Sequence, residues 1–230
     1  MVRHMTRLQK FLLAILSGLV AGATIARLDV HIDIRFASVF DDAAIASWPW
    51  VGAALGWVVF SFYWEAAAKD AAAAKSAESR TSRGIHVFLT NAAIVLEMVP
   101  LRGLSRFLPL SSAIMAGGLA VEAMGLFLAI LARRHLGRNW SGEISIKVDH
   151  RLVRSGPYKT LRHPIYTGLL TMYAGTALVT GTWLALAGFA MAALAYARKI
   201  RLEEANLNVA FGPEYEAYRR ETWALVPGLF

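Results

Sequence analysis

The chain has 230 residues, of which 57% are hydrophobic and only 17% are charged, a composition typical of a polytopic membrane protein and unlike that of a soluble domain. It contains no cysteine, which excludes disulfides, thiolate catalysis and cysteine-based zinc sites. The formal net charge is +8, but the basic residues are spread over loops that flank apolar runs, so we expect membrane lipids as partners and no nucleic acid.

Apolar runs long enough to cross a bilayer recur along the chain, since a hydrocarbon core of about 30 Å takes about 17 to 25 helical residues. The first four runs are residues 9–26, 48–68, 85–101 and 110–132. The run 165–197 is too long for one helix and breaks at Thr180, Gly181 and Thr182, which predicts two helices joined by a tight turn. We therefore predict an all-α, polytopic membrane helix bundle of about six transmembrane helices with a cytoplasmic C-terminal helical tail.

Charge and composition divide the chain into two predicted regions. Residues 1–109 hold N-terminal transmembrane helices, and residues 110–230 hold a core made of the 165–197 hairpin and the tail. The Ala-rich segment 65–84 carries Glu and Lys at helical spacing, so we expect it to extend the second helix into the cytosol before a flexible loop. Among 24 Lys and Arg, those predicted on the opposite face are Arg27, Arg35, Arg102 and Arg106. This asymmetry predicts that both termini are cytoplasmic.

Small and polar residues inside the apolar runs indicate close helix packing. Gly18 with Gly22, and Gly52 with Gly56, are spaced four apart, and packing within one chain is the commoner use of such pairs.

Polar side chains are costly at membrane depth and are candidates for function; here they are His86, Asn91, Glu97 and Glu122. Glu122 falls near mid-span, where it needs a partner on another helix or lines a substrate cavity.

The polar segment 150–168, HRLVRSGPYKTLRHPIYTG, is the first candidate for chemistry. The chain has no G-x-G-x-x-G, no P-loop and no H-E-x-x-H, which argues against a nucleotide cradle and a metal site. Pro164 is suited to the first turn of a helix whose amides, with Arg162 and His163, can bind a carboxylate. Tyr158 and Tyr166 can pack against a flat heterocycle. An interfacial turn that anchors the helix end is the structural alternative.

A second polar cluster, residues 198–220, follows the last apolar run. Lys199 and Glu203 are four apart on one helical face, with Arg198 and Glu204 adjacent to them. A surface ion pair explains this spacing equally well. Because both clusters are predicted on the same membrane face, we expect them to meet.

Five motifs in these clusters resemble the isoprenylcysteine carboxyl methyltransferase family of integral membrane enzymes over residues 136–230. They are HRLVRSGPY, RHPIYTG, LEE, FGPEYEAY and LVPGL. The resemblance implies S-adenosylmethionine as methyl donor and a lipophilic or lipid-anchored acceptor, with a carboxylate favoured and a phospholipid amine or a small thiol as alternatives. A nicotinamide-dependent membrane reductase and a non-enzymatic scaffold are the alternatives from other classes.

The resemblance also implies roles for individual residues. The donor-binding positions are His150, Arg151, Leu152, Val153, Tyr158, His163, Pro164, Ile165, Tyr166 and Glu203. The predicted catalytic positions are Lys199, Arg198 and Glu204, with Lys199 where the family usually has an acceptor-contacting arginine. Lysine keeps the charge but lacks the planar fork that grips a carboxylate, which puts a prenylcysteine acceptor in question. A thiol or amine acceptor needs a base, for which the candidates are Glu203, Glu204 and His163.

Overall fold

The computed structural model describes residues 47–68, 74–109, 111–140, 145–147 and 152–228. Within these ranges the α-helices are α1 (Trp48–Ala68), α2 (Arg80–Met98), α3 (Ser112–Leu136), α4 (Pro164–Thr180), α5 (Trp183–Phe211) and α6 (Pro213–Glu221). Short 3-10 helices occupy Gly137–Asn139 and Gly156–Lys159, and strands β1 (Ala74–Ala77) and β2 (Ser145–Lys147) form an antiparallel pair. The predicted run 9–26 with its glycine pair, and the predicted donor residues His150 and Arg151, lie outside the described residues.

The predicted all-α membrane bundle is confirmed. Three described helices, α1, α3 and α5, are long and apolar enough to cross a membrane, and the chain is an integral membrane protein. The count of about six spans stays a prediction, because α4 has only 17 residues and α2 carries more polar side chains.

Helix boundaries follow local capping signals. α2 begins at Arg80, earlier than predicted, because the Ser79 hydroxyl accepts a hydrogen bond from the Ser82 amide at 3.1 Å. The predicted break after Thr180 is confirmed: Gly181 has a φ of 64°, and the Thr182 hydroxyl caps α5 by accepting from the Ala185 amide at 3.1 Å. The second helix of the hairpin, α5, continues past the apolar run to Phe211, so Lys199 and Glu203 lie on a helix as predicted.

The predicted helical extension through residues 65–84 is also wrong where the structure describes it. α1 ends at Ala68, and residues 74–77 form β1, paired with β2. Alanine-rich composition favours a helix only weakly, and ladder hydrogen bonds to a distant strand override that preference. The small β-ribbon thus joins the end of α1 to the polar segment that follows α3.

Close helix packing inside the chain involves glycines that the sequence analysis did not single out. α3 packs most extensively against α4, and α2 packs extensively against α5. At Gly125 an added Cβ would lie 2.5 Å from the Gly168 carbonyl oxygen, and at Gly118 it would lie 2.8 Å from that of Gly175. These two glycine pairs let the backbones of α3 and α4 meet directly.

The predicted packing role of the Gly52 and Gly56 pair is confirmed. Both glycines face α3, and a Cβ at Gly56 would lie 2.3 Å from Glu122 Oε1. Glu122 is buried and accepts a hydrogen bond from the Thr176 hydroxyl of α4 at 3.2 Å. The interhelical bond predicted as one alternative for Glu122 is therefore present, and it joins α3 to α4.

We expect Gly118→Ala to lower the unfolding temperature of the detergent-solubilised protein. Its new methyl group would contact the backbone of Gly175 and Val179 at 2.8 Å, and overpacking of this kind typically costs about 1 to 3 kcal/mol. Gly117→Ala is the matched control, because a Cβ there meets nothing within 4 Å and gains helix propensity. Equal unfolding temperatures for the two variants would contradict the close approach.

Candidate functional site

The two predicted polar clusters meet where the start of α4 contacts the C-terminal part of α5. With 29 residues, α5 exceeds the roughly 20 that cross a hydrocarbon core, so its charged last third lies outside that core. There the Tyr166 hydroxyl donates to Glu203 Oε2 at 2.6 Å. His163 lies between the two acidic residues, with Nδ1 3.8 Å from Glu203 Oε2 and Nε2 3.3 Å from Glu204 Oε1.

The two neighbouring carboxylates differ in exposure and in partners. The Glu203 side chain is 31% exposed, whereas that of Glu204 is 15% exposed. Glu204 receives a hydrogen bond from Arg162 Nε at 2.8 Å and lies 3.7 Å from Arg219 Nε. Burial alone would raise the pKa of Glu204, but the hydrogen bonds and charges of His163 and Arg162 lower it to about 2. Glu204 is therefore a fixed anion, and Glu203 is the carboxylate available to a ligand.

Residues 222–225, which follow α6 and are called the strap below, hydrogen-bond to the start of α4. The Arg162 and His163 amides donate to the carbonyls of Trp223 and Ala224 at 2.8 and 3.1 Å, and the Thr167 hydroxyl donates to the Leu225 carbonyl at 2.8 Å. Arg162 Nη1 also donates to the Thr222 carbonyl. The chain itself therefore occupies the Arg162 side chain and the two amides that precede α4, while binding of a carboxylate by the first-turn amides of α4 stays a prediction.

An aromatic wall extends from this site towards the membrane core. The rings of His163 and Tyr166 are stacked with centroids 5.5 Å apart, and Tyr196 of α5 lies 5.2 Å from Tyr166. Tyr158 is buried, and burial together with the Glu203 carboxylate raises its pKa. Its hydroxyl is thus a neutral group near Glu203.

The remaining predicted donor residues that the structure describes are buried or partly buried. Pro164 and Ile165 are buried in the first turn of α4, and Pro164 takes the predicted first helical position. Leu152 is partly buried, and Val153 packs against the core. The structure thus brings His163, Tyr166 and Glu203 into one cluster.

The predicted catalytic residues on α5 occupy different surroundings. Lys199 is buried one turn before Glu203. Arg198 donates to the Ser82 hydroxyl at 2.9 Å, which ties α5 to the start of α2.

His86 of α2 is buried where α2 packs against α5, and its ring centroid lies 5.1 Å from that of Tyr196. The sequence marked His86 as a polar residue in an apolar run but gave no signal that placed it against Tyr196 of α5. Within the described ranges, no group of three His, Asp or Glu residues is arranged to hold a metal ion.

Comparisons with known proteins match parts of the chain. Residues 118–209 match the isoprenylcysteine carboxyl methyltransferase family model. A protein-S-isoprenylcysteine O-methyltransferase of Schizosaccharomyces pombe is 31% identical over 107 residues, which is 45% of either chain. Methanethiol S-methyltransferase 2 of Bradyrhizobium diazoefficiens is 41% identical over 75 residues, which is 32% of this chain and 27% of the relative. The chain spans about half the length of the isoprenylcysteine methyltransferases that it matches.

A solved structure extends the likeness in fold to most of the chain. It is that of a eukaryotic intramembrane Ras methyltransferase, an isoprenylcysteine carboxyl methyltransferase, with a TM-score of 0.52 and 18% sequence identity. The match covers 81% of this chain and 70% of that one, and at this identity it concerns the fold alone. Residues 118–209 of the chain thus resemble the isoprenylcysteine carboxyl methyltransferase family, within a membrane helix bundle of similar fold.

Proposed function

We propose that this protein is a methyltransferase that moves a methyl group from S-adenosylmethionine to a hydrophobic or lipid-borne acceptor. The observation that carries the proposal is the Glu203 carboxylate, held by Tyr166 at 2.6 Å, still 31% exposed, and one helical turn beyond the buried Lys199. An anion for the donor and a cation for the acceptor are thus adjacent on one face of α5.

The residues at the cluster fit the donor by their chemistry. In the part of the chain that the structure describes, the contacts of Glu203 run to Oε2, which leaves Oε1 for the hydroxyl or ammonium groups of S-adenosylmethionine. Tyr158 and Tyr166 offer flat faces for its adenine ring. When bound, the donor supplies a methyl group on a positively charged sulfur.

Each residue of this chain then has a defined task. Glu203 binds the donor, while Tyr166 and His163 orient that carboxylate. Lys199 attracts the acceptor anion, and its burial strengthens this attraction because little water screens it. Arg198 and Glu204 act as positioning residues, Arg198 by joining α5 to α2 and Glu204 by fixing Arg162. Positioning and exclusion of water supply most of the acceleration in such a transfer.

The chemical class of the acceptor follows from the positive charge of Lys199 beside the proposed donor site. A carboxylate is favoured, since it is already ionised at neutral pH and complements Lys199. A phospholipid amine is disfavoured, because its protonated form is repelled by Lys199 and by the neighbouring Arg198. A prenylated cysteine carboxylate at the membrane surface is one member of the favoured class.

The proposed orientation is multi-pass with both termini and the site in the cytoplasm. It rests on the distribution of Lys and Arg along the sequence. One contact supports placing the C-terminal ends of α1 and α3 on the same membrane face: Arg133 at the end of α3 donates to the Ala67 carbonyl at the end of α1. The α4 to α5 turn lies at the other end, where the Phe107 amide donates to the Gly181 carbonyl at 2.9 Å.

A thermal-shift panel tests the proposed donor. S-adenosylmethionine and S-adenosylhomocysteine should raise the unfolding temperature of the purified protein in proportion to their affinity, because both bind the folded state. A reduced nicotinamide cofactor should not. Stabilisation by the nicotinamide alone would favour a membrane reductase, and stabilisation by none of the three would favour a scaffold.

Lys199→Arg should change acceptor preference. The planar guanidinium binds a carboxylate through two parallel hydrogen bonds, so we expect the ratio of kcat/KM for a fatty carboxylate to that for a fatty thiol to rise several-fold. Initial rates with both acceptors measure this ratio. Lys159→Arg, at an exposed lysine, is the matched control, and an unchanged ratio in Lys199→Arg would mean that this position does not read the acceptor.

A further inference from the structure

We propose that the end of the bundle opposite the candidate site holds a binding site for the phosphate group of an anionic membrane phospholipid. The site is a pocket among the ends of four helices, and Trp50 and Arg106 are its recognition groups. A lipid bound there joins these helix ends and stabilises the folded protein. Such a site is independent of the proposed methyl transfer, because it lies at the other end of the bundle and takes another ligand.

A pocket with about 360 Å³ of empty space lies at the end of the bundle that carries the α4 to α5 turn. Its walls come from the start of α1, the segment that follows α2, the start of α3 and the end of α4. The lining side chains include Trp50, Leu104, Arg106, Met115, Val179 and Thr180. A mostly apolar lining with a few polar groups is the usual character of a ligand pocket.

The wall that carries Arg106 is fixed to the α4 to α5 turn by backbone contacts. The Phe107 amide donates to the Gly181 carbonyl at 2.9 Å. Arg106 itself pairs with Thr182 in an antiparallel bridge. The pocket is therefore preformed, and a ligand that enters it loses little free energy to ordering of the chain.

Trp50 contributes a hydrogen-bond donor that the described part of the chain leaves unused. Its side chain is 3% exposed, and Nε1 is fully buried without a hydrogen-bond partner among the described residues. By contrast, the indole N–H of Trp57, two turns further along α1, donates to the Thr176 hydroxyl at 3.0 Å. An indole N–H can only donate, and buried donors are rarely left without an acceptor. We therefore expect a bound ligand to supply the acceptor for Trp50.

Arg106 gives the pocket a positive charge. Its Nη1 donates to the Thr180 carbonyl at 2.7 Å, which fixes the half-buried guanidinium at the pocket wall and compensates the negative C-terminal end of α4. Both α1 and α3 begin at the pocket, so their positive ends face it. Glu97, the acidic residue near the end of α2, packs against Gly188 of α5. The charges around the pocket thus favour an anion.

A phosphate complements both recognition groups. Its oxygens accept hydrogen bonds, as the indole N–H of Trp50 requires. A guanidinium such as that of Arg106 binds phosphate through charge-assisted hydrogen bonds, which are stronger than those between neutral groups. The apolar part of the lining suits the carbon atoms next to such a phosphate.

The level of the pocket in the membrane indicates that the phosphate belongs to a lipid. Trp48, beside the pocket at the start of α1, and Trp183, at the start of α5, are both largely exposed. Exposed tryptophans at helix ends are typical of the headgroup level of a bilayer. Val51 and Leu55 continue the exposed apolar surface of α1 from Trp48 towards the membrane core. A phospholipid can therefore place its phosphate in the pocket and its acyl chains along α1.

Thermal unfolding of the purified protein in dodecyl maltoside tests the proposal with three probes. Dioctanoylphosphatidylglycerol should raise the unfolding temperature, because it binds the folded state. Dioctanoylglycerol has the same chains without the phosphate, and inorganic phosphate has the anion without the chains, so neither should stabilise the protein at the same concentration. Equal stabilisation by dioctanoylglycerol would show that the phosphate is not recognised. Equal stabilisation by inorganic phosphate would make the ligand a free anion instead of a lipid, and either result would overturn the proposal.

Trp50→Phe separates this pocket from a general attraction of anionic lipid to basic loops. Phenylalanine keeps an aromatic ring but removes the N–H, so the Kd for dioctanoylphosphatidylglycerol, obtained from the concentration dependence of the unfolding temperature, should rise about tenfold. Trp48→Phe makes the same change at an exposed position on the same turn and should leave the Kd as it is. An unchanged Kd in Trp50→Phe would overturn the proposal.

Arg106→Gln removes the charge and should raise the same Kd about 10-fold to 100-fold. Arg102→Gln, at an exposed arginine of the same segment, is the matched control. Because Arg106 also holds the Thr180 carbonyl, Trp50→Phe, which leaves that bond intact, decides the outcome if Arg106→Gln does not fold. Equal Kd values for Arg106→Gln and Arg102→Gln would contradict the phosphate contact, and they would leave the proposed methyl transfer untouched.

Discussion

Glu203→Gln is expected to weaken the binding of S-adenosylmethionine by about 10-fold to 100-fold while the protein stays folded. Hydrogen bonds to a charged group contribute about 1.5 to 3 kcal/mol each, and every 1.4 kcal/mol or so is tenfold in affinity. Glutamine preserves the shape and the contact with the Tyr166 hydroxyl but removes the charge. Because the side chain is 31% exposed, its replacement should change the unfolding temperature little.

Isothermal titration calorimetry measures this change in affinity, and an exposed acidic residue provides the control. Glu216→Gln on α6 removes the same charge at an exposed position and should leave the donor affinity as it is. If Glu203→Gln bound the donor as tightly as the unaltered protein, the assignment of the donor site to this carboxylate would be wrong.

Arg162→Met is expected to have the largest effect on stability. Arg162 Nε donates to Glu204, and Nη1 donates to the carbonyls of Arg219 and Thr222. Removing one partner of a buried ion pair typically costs about 3 to 5 kcal/mol, because the remaining charge stays buried without its partner. The strap of residues 222–225 should detach from the start of α4, because Arg162 donates to the carbonyls of Arg219 and Thr222 and Glu204 lies near Arg219.

Arg154→Met is the matched control for Arg162→Met. Arg154 also forms an ion pair, with Glu214 at 3.5 Å, but the two side chains are 36% and 60% exposed. Exposed pairs contribute about 0 to 1 kcal/mol, so this variant should unfold close to the unaltered protein. Thermal unfolding of both variants in detergent measures the difference, and equal losses would show that Glu204 does not depend on Arg162.

The fold was predictable from the sequence where local signals set the helix ends. Apolar runs predicted five described helices, α1 to α5. Gly181 and Thr182 predicted the hairpin turn, because each acts on the backbone within a few residues of its own position. The β-ribbon was missed because its pairing joins residues about 70 apart, against the local preference of an Ala-rich segment. The facing glycines of α3 and α4 were missed because an isolated glycine does not show which helix it meets.

The site was predictable from the sequence only where its residues belong to a recognisable local motif. The motif around His163 and the Glu pair of α5 were expected to meet, and they do. The occupation of the Arg162 and His163 amides by the strap was missed, because the strap comes from a distant part of the chain. His86 was not assigned to the site for the same reason: its neighbours on α5 are more than 100 residues away.

Transfer of a labelled methyl group tests the central claim most directly. The purified protein is incubated with methyl-labelled S-adenosylmethionine and a membrane lipid extract, and the labelled products are identified by mass spectrometry. We expect a lipophilic methyl ester or methyl thioether to form with the unaltered protein, and its formation to be strongly reduced with Glu203→Gln. Binding of the donor without transfer of label to any lipophilic compound would contradict the proposed methyltransferase activity.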